Sequence, residues 1–307
     1  MARKTASLRS SSTVDLPSRR WHSGVKSASL RPVGSDDAYA GWQEVADRCF
    51  VHRYEHLDVS ATVVIGNDSV LVIDTRASRV EGEQLAGQVR ALTALPVRAV
   101  ANTHVHFDHL FGNGAFPGVP LIAHESVPVD LPAHQARVKA LYEAEADSDR
   151  DAVLATLVVP PDTAFSSVWA LDLGERHIEL AHLGRGHTAG DIVVRVPDAD
   201  VVCAGDLVEE SAHPSFGSDS FPMEWGRTLE SLSELLGAGT VVVPGHGSAV
   251  DREFVLTQRL DVVDVAEQIR ELSAAGVPLN EALARGRWPF PREALEDAVA
   301  RGYAQLR

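Results

Sequence analysis

Seven consecutive residues, Thr103-His104-Val105-His106-Phe107-Asp108-His109, put four side chains of metal-ligating type within six positions, just after the mostly apolar stretch Val97–Ala101. Imidazole and carboxylate suit zinc, iron or manganese. Their spacing demands a loop, because a regular strand would throw alternate side chains to opposite faces. Packing gives histidines no reason to cluster so tightly. The fold must therefore carry a strand end, and the ligand-bearing loop after it, to a place that other parts of the chain complete.

The surrounding pattern supplies such strand ends. Phe50–Tyr54 and Ala61–Ile65 predict strands, Gly66-Asn67-Asp68 a turn, and Val70–Ile73 a third strand. Val80, Leu85, Val89 and Leu92 recur at helical spacing over 80–94, before the strand Val97–Ala101. Residues 124–165 read as mostly helical, punctuated by Pro128, Pro132, Pro160 and Pro161, and are expected to form a surface insertion near the site mouth. Strands are expected again at Val168–Leu173, His177–Ala181, Ile192–Val196 and Val201–Ala204, then a helix over 224–236, a strand at Val241–Val243, and two or three closing helices. VVIGNDSVLVID ends in Asp74 and IVVRVPDADVVCAGD ends in Asp206, so two strand-turn-strand units each place a carboxylate at a strand's carboxyl end. This internal similarity predicts a pseudo-twofold α/β layered architecture.

Charge narrows the partners. Of the formal −15 on 307 residues, the Ser- and Arg-rich segment 1–32 carries +6 and the remainder −21. Residues 1–32 are expected to be a disordered basic arm. The acidic body would repel nucleic acid, so a small-molecule substrate is expected. No apolar run approaches the roughly 18 residues of a membrane span. Two cysteines, Cys49 and Cys203, cannot make a disulfide framework, and a cytoplasmic location is expected, with organelle targeting by the arm left open. Nothing in the sequence sets the oligomeric state.

Three further segments extend the constellation: Gly184-Arg185-Gly186-His187-Thr188-Ala189-Gly190-Asp191, Ala204-Gly205-Asp206-Leu207 and Pro244-Gly245-His246-Gly247. Each sets a ligand-type residue beside glycine, as in a tight turn aiming one side chain. With the first segment they supply five histidines and two aspartates, enough for two metal ions with open positions. His124 and His182 are read as structural, and Cys203 as a small core residue. His213, Phe216 and Trp225, in and after the Ser/Pro/Gly-rich stretch behind Asp206, together with Arg185, are candidates for a substrate pocket.

On these residues the chain resembles the metallo-β-lactamase superfamily, whose His-x-His-x-Asp-His loop is followed by separate His, Asp and His positions in this order. The resemblance covers about residues 45–250. It implies a four-layer αβ/βα sandwich over 33–250, with 251–307 as a short C-terminal helical appendage packed on the same domain. It also implies two metal ions, zinc with iron or manganese as alternatives. His104, His106 and His187 would hold the first, Asp108, His109 and His246 the second, and Asp206 would bridge them. Asp74, Thr103 and Thr188 would steady these ligands from behind. Secreted β-lactamases that place a thiolate at the Asp206 position would show Cys there, so Asp206 looks more like the glyoxalase II and lactonase branches.

The expected activity is binuclear metal-dependent hydrolysis of a small ester, thioester or lactone, with a hydroxide attacking the carbonyl and Asp108 and Asp206 as the catalytic carboxylates. Alternatives are a β-lactamase-like amide hydrolase, a mono-iron oxidoreductase resembling persulfide dioxygenases on His104, His187 and Asp206, and a metal-stabilised binding module without activity.

Overall fold

A computed structural model describes residues 38–144 and 149–307. The arm expected over 1–32 lies outside the described residues. The first sheet has seven strands in chain order: β1 (Gln43–Ala46), β2 (Cys49–Arg53), β3 (Ser60–Ile65), β4 (Val70–Ile73), β5 (Val97–Ala101), β6 (Leu121–His124) and β7 (Thr163–Phe165). β1 to β4 form an antiparallel meander, and β4 to β7 pair in parallel. The second sheet runs β8 (Val168–Asp172), β9 (His177–Ala181), β10 (Val193–Val196), β11 (Val201–Glu209) and β12 (Val241–His246); only β11 and β12 pair in parallel.

The two sheets repeat one topology. Helix α1 (Arg79–Leu92) crosses from β4 to β5, and α5 (Pro222–Glu234) crosses from β11 to β12. Each crossover follows an antiparallel hairpin, so β1–β5 and β8–β12 have the same order and directions.

Alternation explains the layers. Leu71 and Ile73 of β4, with Val194, Val201, Cys203 and Val243, pack between the sheets. Their neighbours Val70 and Val72 face Leu85 and Val89 of α1. Val193, Val202 and Val242 face Leu229 of α5, and behind it Val262 and Ile269 of α6 (Arg252–Ala274) and Val299 of α8 (Glu296–Gln305). Strands buried on both faces read as unbroken apolar runs, which is why β4 is legible residue for residue, while β5 carries the exposed Arg98 near its start and is buried only over Ala99–Ala101. Helix α7 (Leu279–Arg285) and α8 join α6 in the core of the second sheet.

At the end of the sandwich away from the carboxyl ends of β4 and β5, Arg176 ties the sheets together. Its guanidinium donates to Asp47 Oδ2 at 2.6 Å, Asp198 Oδ2 at 2.9–3.0 Å, and the carbonyls of Asp47 and Ile65 at 2.9 and 3.0 Å. Among the described residues no helix is long and apolar enough to cross a membrane.

Some local expectations need correction. β11 does not stop at Ala204: it continues through Asp206 to Glu209, with its pairing register broken around Gly205, which takes φ +52°. Asp206 therefore sits at an irregularity inside a strand rather than at its end. β12 likewise runs through Pro244-Gly245-His246 instead of turning there. A single turn, α2 (Phe107–Leu110), follows β5; the stretch 124–165 expected as a mostly helical insertion holds α3 (Val127–Ala144) and α4 (Arg150–Ala155) and ends in the strand β7. Pro128 and Pro132 lie within α3 rather than punctuating it.

Candidate metal centre

The loop after β5 is shaped by its own polar side chains. Asn102 Nδ2 donates to the His109 carbonyl at 3.0 Å, and Asn102 and Asn113 exchange amide hydrogen bonds at 3.0 and 2.8 Å. His106 is extended and starts the single turn α2, which turns Asp108 and His109 inward to near-complete burial.

Two donor groups converge. His104, His106 and His187 gather with Asp206, and Asp108, His109 and His246 form a second set; the donor atoms within each set lie within 4.8 Å of one another. In the first, His187 Nε2 is 2.8 Å from His106 Nδ1 and 3.3 Å from Asp206 Oδ2. In the second, His246 Nε2 is 3.3 Å from both His109 Nε2 and Asp108 Oδ2. Asp206 reaches both sets: Oδ1 is 3.2 Å from His109 Nε2, and Oδ2 is 3.3 Å from His246 Nε2 and 3.7 Å from His104 Nε2. Gly245 makes room for this carboxylate, since a Cβ there would stand 1.8 Å from Asp206 Oδ1.

Every one of the five imidazoles is held at its outward nitrogen. Thr103 Oγ1 is 3.0 Å from His104 Nδ1, Asp74 Oδ2 is 2.8 Å from His109 Nδ1, and Asp219 Oδ2 is 3.3 Å from His106 Nε2. The Ser215 carbonyl is 2.9 Å from His187 Nδ1, and the Leu57 carbonyl 2.8 Å from His246 Nδ1. Such partners fix each ring's tautomer and aim its other nitrogen inward, as metal-ligating histidines require. Inside, His104 Nε2 and Asp206 Oδ1 are buried with no hydrogen-bond partner. Orphaned donor atoms in a dense set of imidazoles and carboxylates fit a bound cation, which would satisfy both.

The electrostatics divide the rings. Burial, with His109 beside it, holds His104 well below the usual imidazole range, and burial with His106 brings His187 down to about 4. At His109 and His246 burial opposes charge, but Asp206 and Asp108 hold both well above that range. Burial likewise opposes charge on Asp108 and Asp206, yet the adjoining imidazoles keep both ionised, well below the usual carboxylate range.

The residues expected behind the ligands separate into two cases. Thr103 donates from N and Oγ1 to Asp74 at 2.8 Å each, so Asp74, Thr103, His104 and His109 form one buried network. Thr188 does not join His187's ring: its N and Oγ1 donate to Asp191, at 2.9–3.0 and 2.6 Å. It shapes the turn instead. Asp191, pushed by burial up to about 7, was legible only as the last residue of the Gly-Arg-Gly-His-Thr-Ala-Gly-Asp segment.

The candidate pocket residues lie in different settings. Phe216 and Trp225 are buried in the core, where Trp225 Nε1 donates to the Leu207 carbonyl and its ring backs His187 at 5.7 Å. Large apolar rings gain more from burial behind His187 than from facing water. His213 is exposed, with its ring 6.0 Å from Phe290. Arg185 is a surface arginine bound through two nitrogens to Glu224 and lying over Phe221. His124 and His182 stack on each other, with His124 Nδ1 3.0 Å from Ser126 Oγ and His182 Nδ1 2.8 Å from the Asp191 carbonyl.

The sequence reading missed Glu209, Asp219, His134 and Arg137. Glu209 gathers with Asp206 and His246, and burial and the Asp206 charge push its carboxyl up to about 7. His134 and Asp219 gather with His106, but a guanidinium already fills that space: Arg137 Nη2 bonds Asp219 Oδ2 and lies 3.3 Å from His134 Nδ1.

Comparison with known proteins places these residues in a family. The profile of the metallo-beta-lactamase superfamily matches residues 55–246. A type 2 metallo-beta-lactamase of Bacillus cereus is 28% identical over 162 residues, 52% of this chain and 56% of that protein, so the chain spans little more than half of that relative's length. The probable metallo-hydrolase YqgX of Bacillus subtilis (strain 168) is 26% identical over 66% of this chain and 90% of its own length. Among solved structures, a metallo-beta-lactamase from Pontibacter korlensis aligns with a TM-score of 0.58 at 22% identity, covering 72% of this chain and 97% of its own. That likeness concerns the fold.

Proposed function

The chain belongs to the metallo-beta-lactamase superfamily, and from that premise we propose that it is a binuclear metal-dependent hydrolase of a small ester, thioester or lactone. The observation that carries the reading is Asp206, a buried carboxylate with one oxygen against His109 and the other against His187 and His246. His104, His106 and His187 would hold one ion, Asp108, His109 and His246 the other, and Asp206 both. Two divalent ions so held would polarise a carbonyl and supply a nucleophile from water at neutral pH. Zinc suits the donor set, and iron or manganese are admitted by its carboxylates.

The protein's own contribution is orientation and proton handling. Asp74 and Thr103 keep the histidine loop in register through three hydrogen bonds of 2.8 Å. Asp108 turns Oδ2 to His109 and His246, which leaves Oδ1 as the atom proposed to take up and return a proton. The acidic body favours a small-molecule substrate over nucleic acid, and a cytoplasmic location is part of the same proposal.

The β-lactamase names of several relatives make amide hydrolysis the second reading. Metal quantification on the purified protein, followed by a panel of lactones, thioesters, β-lactams and phosphodiesters, tests both. About two metals per chain with turnover of a lactone or thioester is the expected result. Full activity in metal-free protein would overturn the reading.

A further inference from the structure

Of the five imidazoles, His106 alone turns Nδ1 inward, toward His187 Nε2 at 2.8 Å. Its remaining nitrogen, Nε2, therefore lies at the tip of the ring, away from its own backbone. The other four rings are held at Nδ1, close to the main chain, by Thr103, Asp74 or a carbonyl oxygen. His106 needs a partner from another element, and the structure provides one from two sides.

Asp219, in the loop before α5, accepts from His106 Nε2 at 3.3 Å with the same oxygen that receives Arg137 Nη2. Arg137 and His134 stand one turn apart on α3 and present the same face. The His134 ring lies over the His106 ring, centroids 4.8 Å apart and 22° from parallel, and its Nε2 accepts from the Phe107 amide at 3.0 Å. With Nε2 engaged by the Phe107 amide, the His134 ring is held as a plate over His106. One face of the His106 ring and its outer nitrogen are thus both governed from α3.

We propose that Arg137 and His134 are positioning residues of the three-histidine subsite. Arg137 fixes Asp219 against His106 Nε2 and His134 fixes the ring plane, so the α3 insertion sets how tightly that subsite holds its cation. The inference rests on the metal-centre reading above. Without Arg137, Asp219 keeps its charge but loses the guanidinium that orients it, and His106 can rotate about χ2.

The test uses the full chain with Co²⁺ and Zn²⁺. Dissociation constants of both ions are measured by competition with a chromophoric chelator, and the visible spectrum of the Co²⁺ protein is recorded, for the natural protein, Arg137→Met, Arg137→Lys and His134→Phe. Arg137→Met is expected to weaken one of the two affinities roughly tenfold and to alter the Co²⁺ absorption of that subsite, in line with losses at residues that orient metal ligands. Arg137→Lys should recover part of both effects, and His134→Phe, which keeps the stacked ring but not its acceptor, should fall between. The metal-free melting temperature should not move. Unchanged affinities and spectrum in Arg137→Met would overturn the proposal, as would equal weakening at both subsites with a lower metal-free melting temperature. A natural protein that binds neither ion would overturn the metal-centre reading itself.

Discussion

Asp74 follows the last strand of one hairpin and Asp206 lies within the last strand of the matching one, and each sits at a left-handed step of the backbone. In the first sheet Asp74 itself takes φ +62°; in the second Gly205 takes φ +52°, one residue before the aspartate. At Asp74 the carboxylate collects three hydrogen bonds, from Thr103 N and Oγ1 and His109 Nδ1. At Asp206 the carboxylate lies among the imidazoles, with Oδ1 left without a hydrogen bond. Side chains alternate along a strand, so moving the turn by one position moves the carboxylate to the other side. The difference teaches that one repeated hairpin yields either a support for the candidate ligands or a carboxylate that reaches both candidate sets, depending on which residue absorbs the positive φ.

The comparison can be broken most severely by removing what Asp206 is proposed to share. A strong chelator is expected to abolish hydrolysis, and Zn²⁺, Mn²⁺ or Fe²⁺ to restore it, followed by turnover in metal-buffered solution. Next, Asp206→Ala should purify with about one metal, at the three-histidine set, and lose most activity, because a shared carboxylate offsets part of the repulsion between two dications. If that variant keeps two metals and normal turnover, the asymmetry between the two aspartates is lost. Asp74→Ala should keep two metals with affinity lowered roughly 10–100-fold, the scale for residues that orient ligands; inductively coupled plasma analysis against chelator concentration distinguishes the two variants. The smallest effect is expected from deleting 1–32, a segment poor in apolar residues, which should leave activity and melting temperature nearly unchanged. A fall of several degrees would show that neither hairpin pair is sufficient without it.

How much of this was legible follows from what each residue contacts. β4 could be read from its unbroken apolar run, β5 from its mostly apolar residues, and β9 from alternation of buried Ile178 and Leu180 with more open neighbours. β1 and β7 were invisible: they are four and three residues long, and β1 is largely half-exposed. The seven ligand-type side chains were legible because closely spaced imidazoles have no packing explanation. Their outer partners divide sharply. Asp74 ends a recognisable strand, but the carbonyls of Leu57 and Ser215 carry no side-chain signal, and Asp219 lies 113 residues from the ring it holds. Trp225 misled because an aromatic near a ligand reads as a pocket wall until its burial is known.

Arg176 gives the sandwich an unequal pair of fastenings. At one end a guanidinium, built into the chain and always charged, draws Asp47 of the turn after β1 and Ile65 at the end of β3 to Asp198 of the second sheet. At the other end the same two sheets meet through Asp206, His187 and His246 from one and His104, His106 and His109 from the other, around a place for cations that can leave. The molecule is then pinned at its base and latched at its mouth. Loss of metal should loosen it in one direction only, with faster amide exchange in 102–109, 184–191 and 205–211 while the turns around Arg176 keep their protection. On the proposed reading, the binding energy of the ions would also be the closing force of the clasp.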